Sequence, residues 1–141
     1  MTVTGGLITF AIGAREYAAA LSSVREVLRL EGLADLPGMT PPLAGVVDLR
    51  GAALPVLDLR LAAAPGDRGD VLVLEGERDG ALVGVAVDRV RAVVEAGVLA
   101  AGSGPRGEEL PRYVLEVLRS AEGPVFLVDL GQMLASARVA A

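Results

Sequence analysis

Several chemically useful residue types are missing from this chain of 141 residues. It has no cysteine, histidine or tryptophan, and all 13 of its basic residues are arginine. A protein without histidine, cysteine or lysine lacks the commonest general base, the Ser-His and Cys-His nucleophile pairs, Schiff-base chemistry and nearly every zinc site. Because only carboxylates, hydroxyls and arginine remain for catalysis, we predict no catalytic residue, no metal and no cofactor.

Positive charge and long apolar runs are also scarce. The 18 acidic residues outnumber the basic ones and give a net charge of −5, whereas nucleic-acid binding needs clustered positive charge. No apolar run reaches the roughly 20 residues of a membrane-spanning helix, and the N-terminus lacks the features of a signal peptide. We therefore expect a cytoplasmic protein that neither binds nucleic acid nor inserts into a membrane, and the lack of cysteine agrees with this expectation.

The residues that are abundant favour β structure. Hydrophobic residues make up 52% of the chain and aromatic residues only 3%, so the core must be built from valine, leucine and alanine, a composition that suits strands. The length fits one domain over residues 1–141. Within it we expect two lobes, at about 7–65 and 71–134, with terminal strands able to cross between them.

The chain is organised around residues 45–59, which predict two short apolar strands joined by a tight turn at Arg50-Gly51. Glycine at the turn supplies the positive φ that such hairpins require. Asp48 and Arg50 would then lie at the rim of the hairpin. A charged pair in this place is either ordinary turn solvation, with Arg50 paired to Asp48, or the contact point for a partner, because arginine is enriched at protein interfaces.

Other strands follow from alternation of apolar and polar residues and from turn signals. We predict a hairpin at 7–21, strands at 71–74 and 81–88 with a continuation over 89–94 after a bend, and further strands at 113–118 and 125–130. Residues 24–30 fit either a strand or a helical turn. The proline-rich segment 36–42 predicts a connector, residues 62–70 a turn of helix followed by a loop, and residues 132–138 a C-terminal helix.

The second half of the chain resembles the first. With an offset of 66 positions, Leu7 and Tyr17 fall on Val73 and Val83, and with an offset of 71 the segment 56–59 falls on 127–130. Short strands at regular spacing that repeat in this way indicate two similar β lobes.

Two patterns have simple structural interpretations. The letters G-x-G-x-x-G occur at 102–107, but no βαβ unit surrounds them, so we interpret them as a loop and not a nucleotide site. Asp58 and Asp129 stand at equivalent strand ends, where an aspartate commonly caps the turn or helix that follows.

The motif at 45–59 resembles the CheW family of chemotaxis coupling proteins, which is also related to the regulatory domain of the kinase CheA. The family pattern is approximately G-V-x-N-L-R-G-x-x-x-P-V-x-D-L, and the chain reads GVVDLRGAALPVLDL. The V-x-E-V element appears at 24–27, the L-P connector at 36–37 and the G-x-x-V-D-x-V element at 84–90. Asp48 replaces the usual asparagine, and Glu116 stands where the family commonly has glycine.

The resemblance implies a mainly β fold with two intertwined five-stranded SH3-like β barrels that share an apolar core, and a short C-terminal helix. It implies an adaptor that binds the regulatory domain of a CheA-type histidine kinase and the cytoplasmic tip of methyl-accepting chemoreceptors. The receptor-facing groove of the family corresponds here to Val24, Glu26, Gly45 and Arg50, and we add Asp48 to the predicted partner-binding residues.

Two alternatives remain open at this stage. The chain could be a coupling protein of a chemosensory pathway with another output, such as surface motility or gene regulation. It could also be a small enzyme that uses carboxylates, which would require two of the residues Asp48, Asp58, Asp88 and Asp129 to converge in a pocket.

Overall fold

A computed structural model describes residues 5–35, 37–38, 42–60, 69–76, 80–101 and 110–140, apart from the side chains at 100–101 and 137–140. These residues form eleven strands and one C-terminal helix, so the chain is mainly β, as predicted. The elements are β1 (Gly6–Ile12), β2 (Arg15–Ala20), β3 (Glu26–Arg29), β4 (Leu43–Leu49), β5 (Ala52–Asp58), β6 (Asp70–Glu75), β7 (Leu82–Val87), β8 (Arg89–Glu95), β9 (Ala100–Ala101), β10 (Val114–Ser120), β11 (Gly123–Val128) and α1 (Leu130–Ala140).

Local signals predicted the hairpins correctly. β1 and β2 pair antiparallel around the turn at 13–14, and β4 and β5 pair around Arg50 and Gly51. The ambiguous segment 24–30 forms strand β3, because it pairs antiparallel with β6. The predicted connector at 36–42, the helical turn at 62–70 and the loop at 102–107 lie largely or wholly outside the described residues.

The strands form two sheets. One has the order β8-β1-β2-β11-β10-β9, in which β9 has only two residues, and the other has the order β3-β6-β7-β5-β4. Neither order returns to its first strand, so the strand pairing among the described residues does not confirm the predicted SH3-like barrels. The chain enters the first sheet, builds the second and then returns to the first.

Strand β8 differs from its prediction as a continuation of β7. It pairs antiparallel with β1 and therefore belongs to the other sheet. The crossing occurs at Asp88, whose backbone N–H donates to the carbonyl of Ala11 at 3.0 Å and whose carboxylate accepts from the N–H of Gly13 at 2.6 Å. The apolar run of 81–94 cannot show this change of sheet, because both sides of the crossing are strands.

The predicted repeat is present in the topology, with one correction. Leu43 pairs with Leu57, and Val114 pairs with Val128. An irregularity in register follows each pair at the same place, so the offset of 71 positions relates the β4–β5 hairpin to the β10–β11 hairpin. Leu7 pairs with Ala20, and Val71 pairs with Ala86. The counterpart of Leu7 is therefore Val71, not Val73, because the β6–β7 hairpin has a tip two residues longer.

One apolar cluster joins the two sheets. Its members from the first sheet include Phe10 and Val128, and those from the second include Leu57 and Val85. Each of these four side chains is at most 4% exposed. Burial of this apolar surface is the main stabilising contribution in a fold of this kind. The sheets consequently share a core, as expected.

Asp129 caps helix α1. Its Oδ1 accepts from the backbone N–H of Gln132 at 3.0 Å, which satisfies one of the free donors in the first turn. The helix begins at Leu130, two residues before the predicted start, because Met133 already donates to the carbonyl of Asp129 at 2.9 Å. Within the part of the chain that the structure describes, no helix has the length and apolar character needed to span a bilayer.

Candidate partner-binding site

The turn between β4 and β5 holds Arg50 in an unusual backbone conformation. Arg50 has φ 50° and Gly51 has φ 89°, and two successive positive φ values are typical of the two-residue hairpin turn that matches strand twist. Glycine, asparagine or aspartate normally occupies such a position, because a side chain in the left-handed region meets the backbone. Arg50 is the one described non-glycine residue with positive φ, so its side chain is kept in spite of a conformational cost.

The guanidinium of Arg50 forms a two-pronged ion pair with Glu26 on strand β3. Nη2 lies 2.6 Å from Oε1, and Nη1 lies 3.2 Å from Oε2. The Arg50 side chain is 70% exposed and that of Glu26 is 31% exposed. Exposed ion pairs add little to stability, but the parallel hydrogen bonds fix the orientation of the guanidinium. The site therefore presents an oriented cation at the surface.

Asp48 does not pair with Arg50, in contrast to the turn-solvation interpretation. Its Oδ1 accepts from the backbone N–H of Gly51 at 3.2 Å. This bond closes the turn and is the role expected of aspartate or asparagine there. Glu26, which is distant in sequence, is the partner of Arg50 instead.

Gly45 and Val24 are less exposed than Asp48 and Arg50. Gly45 is buried with φ 154°, and a Cβ at that position would lie 2.5 Å from the carbonyl oxygen of Ala34. Glycine is required there because the segment around Ala34 crosses close to β4 and pairs with Val46. Val24 is half-buried and packs against the shared core. Both residues are thus in packed surroundings, whereas Glu26, Asp48 and Arg50 reach solvent.

The repeat does not duplicate the ion pair. Ala92 is the position equivalent to Glu26, since Glu26 pairs with Val73 as Ala92 pairs with Thr9. Ala121 is the position equivalent to Arg50, because the turn after β10 corresponds to the turn after β4. Glu116 occupies the position equivalent to Gly45. Among the described residues, only the five-stranded sheet carries this arrangement, so the two halves of the fold present different surfaces.

Exposed apolar residues were missed by the sequence reasoning. Val27 on β3 is 42% exposed and Val93 on β8 is 59% exposed. They are equivalent positions of the repeat, at an offset of 66, on the outermost strands of the two sheets. The signal that could have indicated their exposure was this equivalence, together with the placement of both residues on edge strands. Periodicity within either strand does not show that these side chains are exposed.

Residues next to β3 and β8 contact the opposite sheet at both ends of these two strands. Asp70, which pairs with Arg29 at the end of β3, accepts from the N–H of Val90 near the start of β8 at 2.7 Å. At the other end, Leu21 packs on Gly6: a Cβ built on Gly6 would lie 3.1 Å from Cδ2 of Leu21. Gly6 in turn pairs with Glu95 of β8. We call these two strands the β3–β8 edge, and Glu26 belongs to it.

The other carboxylates of interest each have a structural contact. Asp58 accepts from the N–H and the guanidinium of Arg60, Asp88 accepts from Gly13, and Asp129 caps α1. Within the described ranges, no group of three or more acidic side chains could hold a metal ion.

The ionisation of Glu26 provides a test of the ion pair. Hydrogen bonding to Arg50, with a smaller attraction between the two charges, lowers the pKa of Glu26 below its ordinary 4.5. Because the folded-state pKa is depressed, the pair stabilises the fold above the unfolded-state pKa and is lost as the pH falls through the folded-state value. We expect a ¹³C NMR titration of the Glu26 carboxyl to have its midpoint below 4.5 and to shift upward in Arg50→Met. Identical midpoints in the two proteins would show that the pair is absent in solution.

Comparisons with known proteins agree on one family. The family model described as the CheW-like domain matches residues 6–138. The "Probable chemotaxis protein CheW" of Rhizobium etli is 37% identical over 89 residues, which cover 60% of this chain and 56% of that protein. The "Chemotaxis protein CheW" of Bacillus subtilis is 35% identical over 54 residues, which cover 38% of this chain and 35% of that protein. The chain thus matches about half or less of the length of these relatives.

A solved structure has the same fold. The crystal structure of the scaffolding protein TtCheW from Thermoanaerobacter tengcongensis superposes with a TM-score of 0.71 and covers 92% of this chain and 87% of that chain. At 17% identity, this similarity concerns the fold alone.

Proposed function

Since this chain belongs to the CheW-like domain family, we propose that it is a cytoplasmic, non-catalytic adaptor that couples chemoreceptors to a CheA-type histidine kinase in chemotaxis. The names of the matched relatives support chemotaxis, and the name of the structural neighbour supports a scaffolding role. The kinase regulatory domain and the cytoplasmic tip of the receptor are the partners that we propose.

The observation that carries this proposal is the Glu26–Arg50 pair. A side chain held in a left-handed backbone conformation and oriented at the surface by a second strand does not serve the stability of the turn, for which glycine would be better suited. A preorganised arginine is instead suited to a partner that offers an acceptor group, because less side-chain entropy is lost on binding.

We propose that the receptor tip contacts Arg50, Glu26 and the apolar side chains of the β3–β8 edge. Apolar contacts would supply most of the binding energy, and the charged pair would orient the partner. Asp48 would hold the turn, while Val24 and Gly45 would support the surface from below. We propose that the two halves form SH3-like barrels in the sense of the family.

Co-purification tests the adaptor role directly. The full chain is mixed with a receptor cytoplasmic fragment and the regulatory domain of a CheA-type kinase, both from an organism whose genome encodes this chain, and complexes are separated by size-exclusion chromatography. We expect one complex that contains all three proteins and no kinase–receptor complex when the chain is omitted. Failure to bind either partner would contradict the proposal.

The output of the pathway is a second question. A coupling protein for surface motility or gene regulation would pass the same binding test with a different kinase. Deletion of the gene, followed by assays of swimming, surface motility and transcription, distinguishes these outputs.

A further inference from the structure

Arg60, next to the end of β5, is a cation outside the partner surface whose side chain is largely shielded from solvent. Its side chain is 5% exposed. Nε and Nη2 each donate to one carboxylate oxygen of Asp58, both at 2.9 Å, and Asp58 Oδ1 also accepts from the Arg60 backbone N–H at 2.8 Å. A buried arginine needs such a paired arrangement, because an isolated charge is costly to desolvate.

The Arg60 side chain also lies close to the backbone of Gly69. A Cβ on Gly69, just before β6, would lie 3.5 Å from Arg60 Cδ and Nη1. The same Cβ would lie 2.6 Å from the carbonyl oxygen of Val87 at the end of β7. Glycine at position 69, with φ 136°, lets the arginine lie against the backbone there. Arg60 thus packs against Gly69 next to the start of β6, and Gly69 itself lies close to the end of β7.

This is also the place where the chain crosses between the sheets. Asp70, next to Gly69, accepts from Val90 of β8, and Asp88, next to Val87, accepts from Gly13 of the β1–β2 turn. Hydrogen bonding to Asp58, with a smaller contribution from the charge of Asp88, raises the pKa of Arg60 above its ordinary value. Arg60 therefore contacts the segment that carries Asp70 and attracts Asp88, the two carboxylates that bind backbone N–H groups of the other sheet.

We propose that Arg60 is a positioning residue that keeps the two sheets in register at this crossing, so that β8 keeps its position relative to the five-stranded sheet. Without the charge of Arg60 and its packing against Gly69, the carboxylate of Asp58 loses its partner and the segment 69–70 loses its support. The β3–β8 edge is then free to open. The link from this edge to receptor binding rests on the proposed function; the link from Arg60 to sheet position does not.

The absence of cysteine from the chain permits a direct measurement. Spin labels on introduced cysteines at the exposed positions Glu31 and Glu95 report the distance between the sheets by pulsed electron paramagnetic resonance. Labels at Glu95 and Arg119 both lie within the six-stranded sheet, on β8 and β10. Arg60→Met removes the charge, Arg60→Lys keeps the charge but not the fork, and Arg112→Met is the control at an exposed arginine.

We expect Arg60→Met to broaden or shift the distance between the sheets, Arg60→Lys to do so less, and Arg112→Met to have no effect. The distance within the sheet should stay unchanged in all three, which separates loss of register from general unfolding. If Arg60→Met does not fold, the comparison is made with Arg60→Lys. An unchanged inter-sheet distance in a folded Arg60 variant would refute the proposal, and since no partner is present, this result is independent of the adaptor role.

Discussion

Replacement of Leu57 by alanine is expected to lower the free energy of unfolding by about 2 to 5 kcal/mol. Leu57 is 4% exposed and belongs to the apolar cluster that both sheets contribute to. Within its own sheet, Leu57 pairs with Leu43 on β4 and with Val85 on β7. Because its cluster also contains residues of the other sheet, the truncated side chain leaves a cavity lined from both sheets. Rigid strands on several sides prevent the site from collapsing, which places the cost toward the upper part of this range.

Urea denaturation followed by circular dichroism measures this effect, with Val98→Ala as the control. Val98 is 65% exposed, and a surface truncation of this kind changes stability by about 0.5 kcal/mol or less. The denaturant dependence should be similar in both variants, because the surface exposed on unfolding hardly changes. A loss below about 1 kcal/mol for Leu57→Ala would show that the interior relaxes around the missing side chain.

Arg50→Glu is expected to abolish detectable receptor binding while the protein remains folded. The variant places a carboxylate where Glu26 now receives two hydrogen bonds, so the two like charges separate and the oriented cation is lost. Because both side chains reach solvent, the repulsion is screened and the melting temperature should change little. Isothermal titration calorimetry with a receptor cytoplasmic fragment measures the loss.

Two further variants show which property of Arg50 matters. Arg50→Gly keeps the turn and relieves the left-handed strain, so we expect it to melt at the same or a higher temperature and still to bind poorly. The double variant Glu26→Arg with Arg50→Glu restores an ion pair in reverse, and we expect it to remain folded but not to recover binding. Full binding by either variant would show that the partner does not bind the guanidinium of Arg50.

Hairpins were the most predictable part of this fold. The turn at Arg50-Gly51 and the apolar strands beside it are specified by residues that are close in sequence, and the structure has them at the predicted place. The start of α1 was predicted two residues late, because Asp129 was not combined with the helix signal that follows it. The correspondence of β1 with β6 was wrong by two residues, because an insertion at a hairpin tip changes the offset without changing the apolar pattern.

Contacts between distant strands were the least predictable part. The sequence places Asp48 beside Arg50 and favours their pairing, yet the turn directs Asp48 to the backbone of Gly51 and directs Arg50 to Glu26 on another strand. Strand β8 was expected to continue β7 after a bend, although it pairs with β1 in the other sheet. In both cases local patterns specify which residues can form a strand or a turn, but not which strand becomes the neighbour.

The sequence by itself determined that this chain is a β protein with a repeated half, a core without large aromatic clusters and a charged hairpin turn, since alternation, glycine placement and composition act locally. The motif around that turn also indicated the CheW family. Only the tertiary structure decided that Glu26 orients Arg50, that Arg60 pairs with Asp58 next to Gly69, and that β8 joins the other sheet. These features depend on the packing of segments far apart in the chain, and no local pattern encodes such packing.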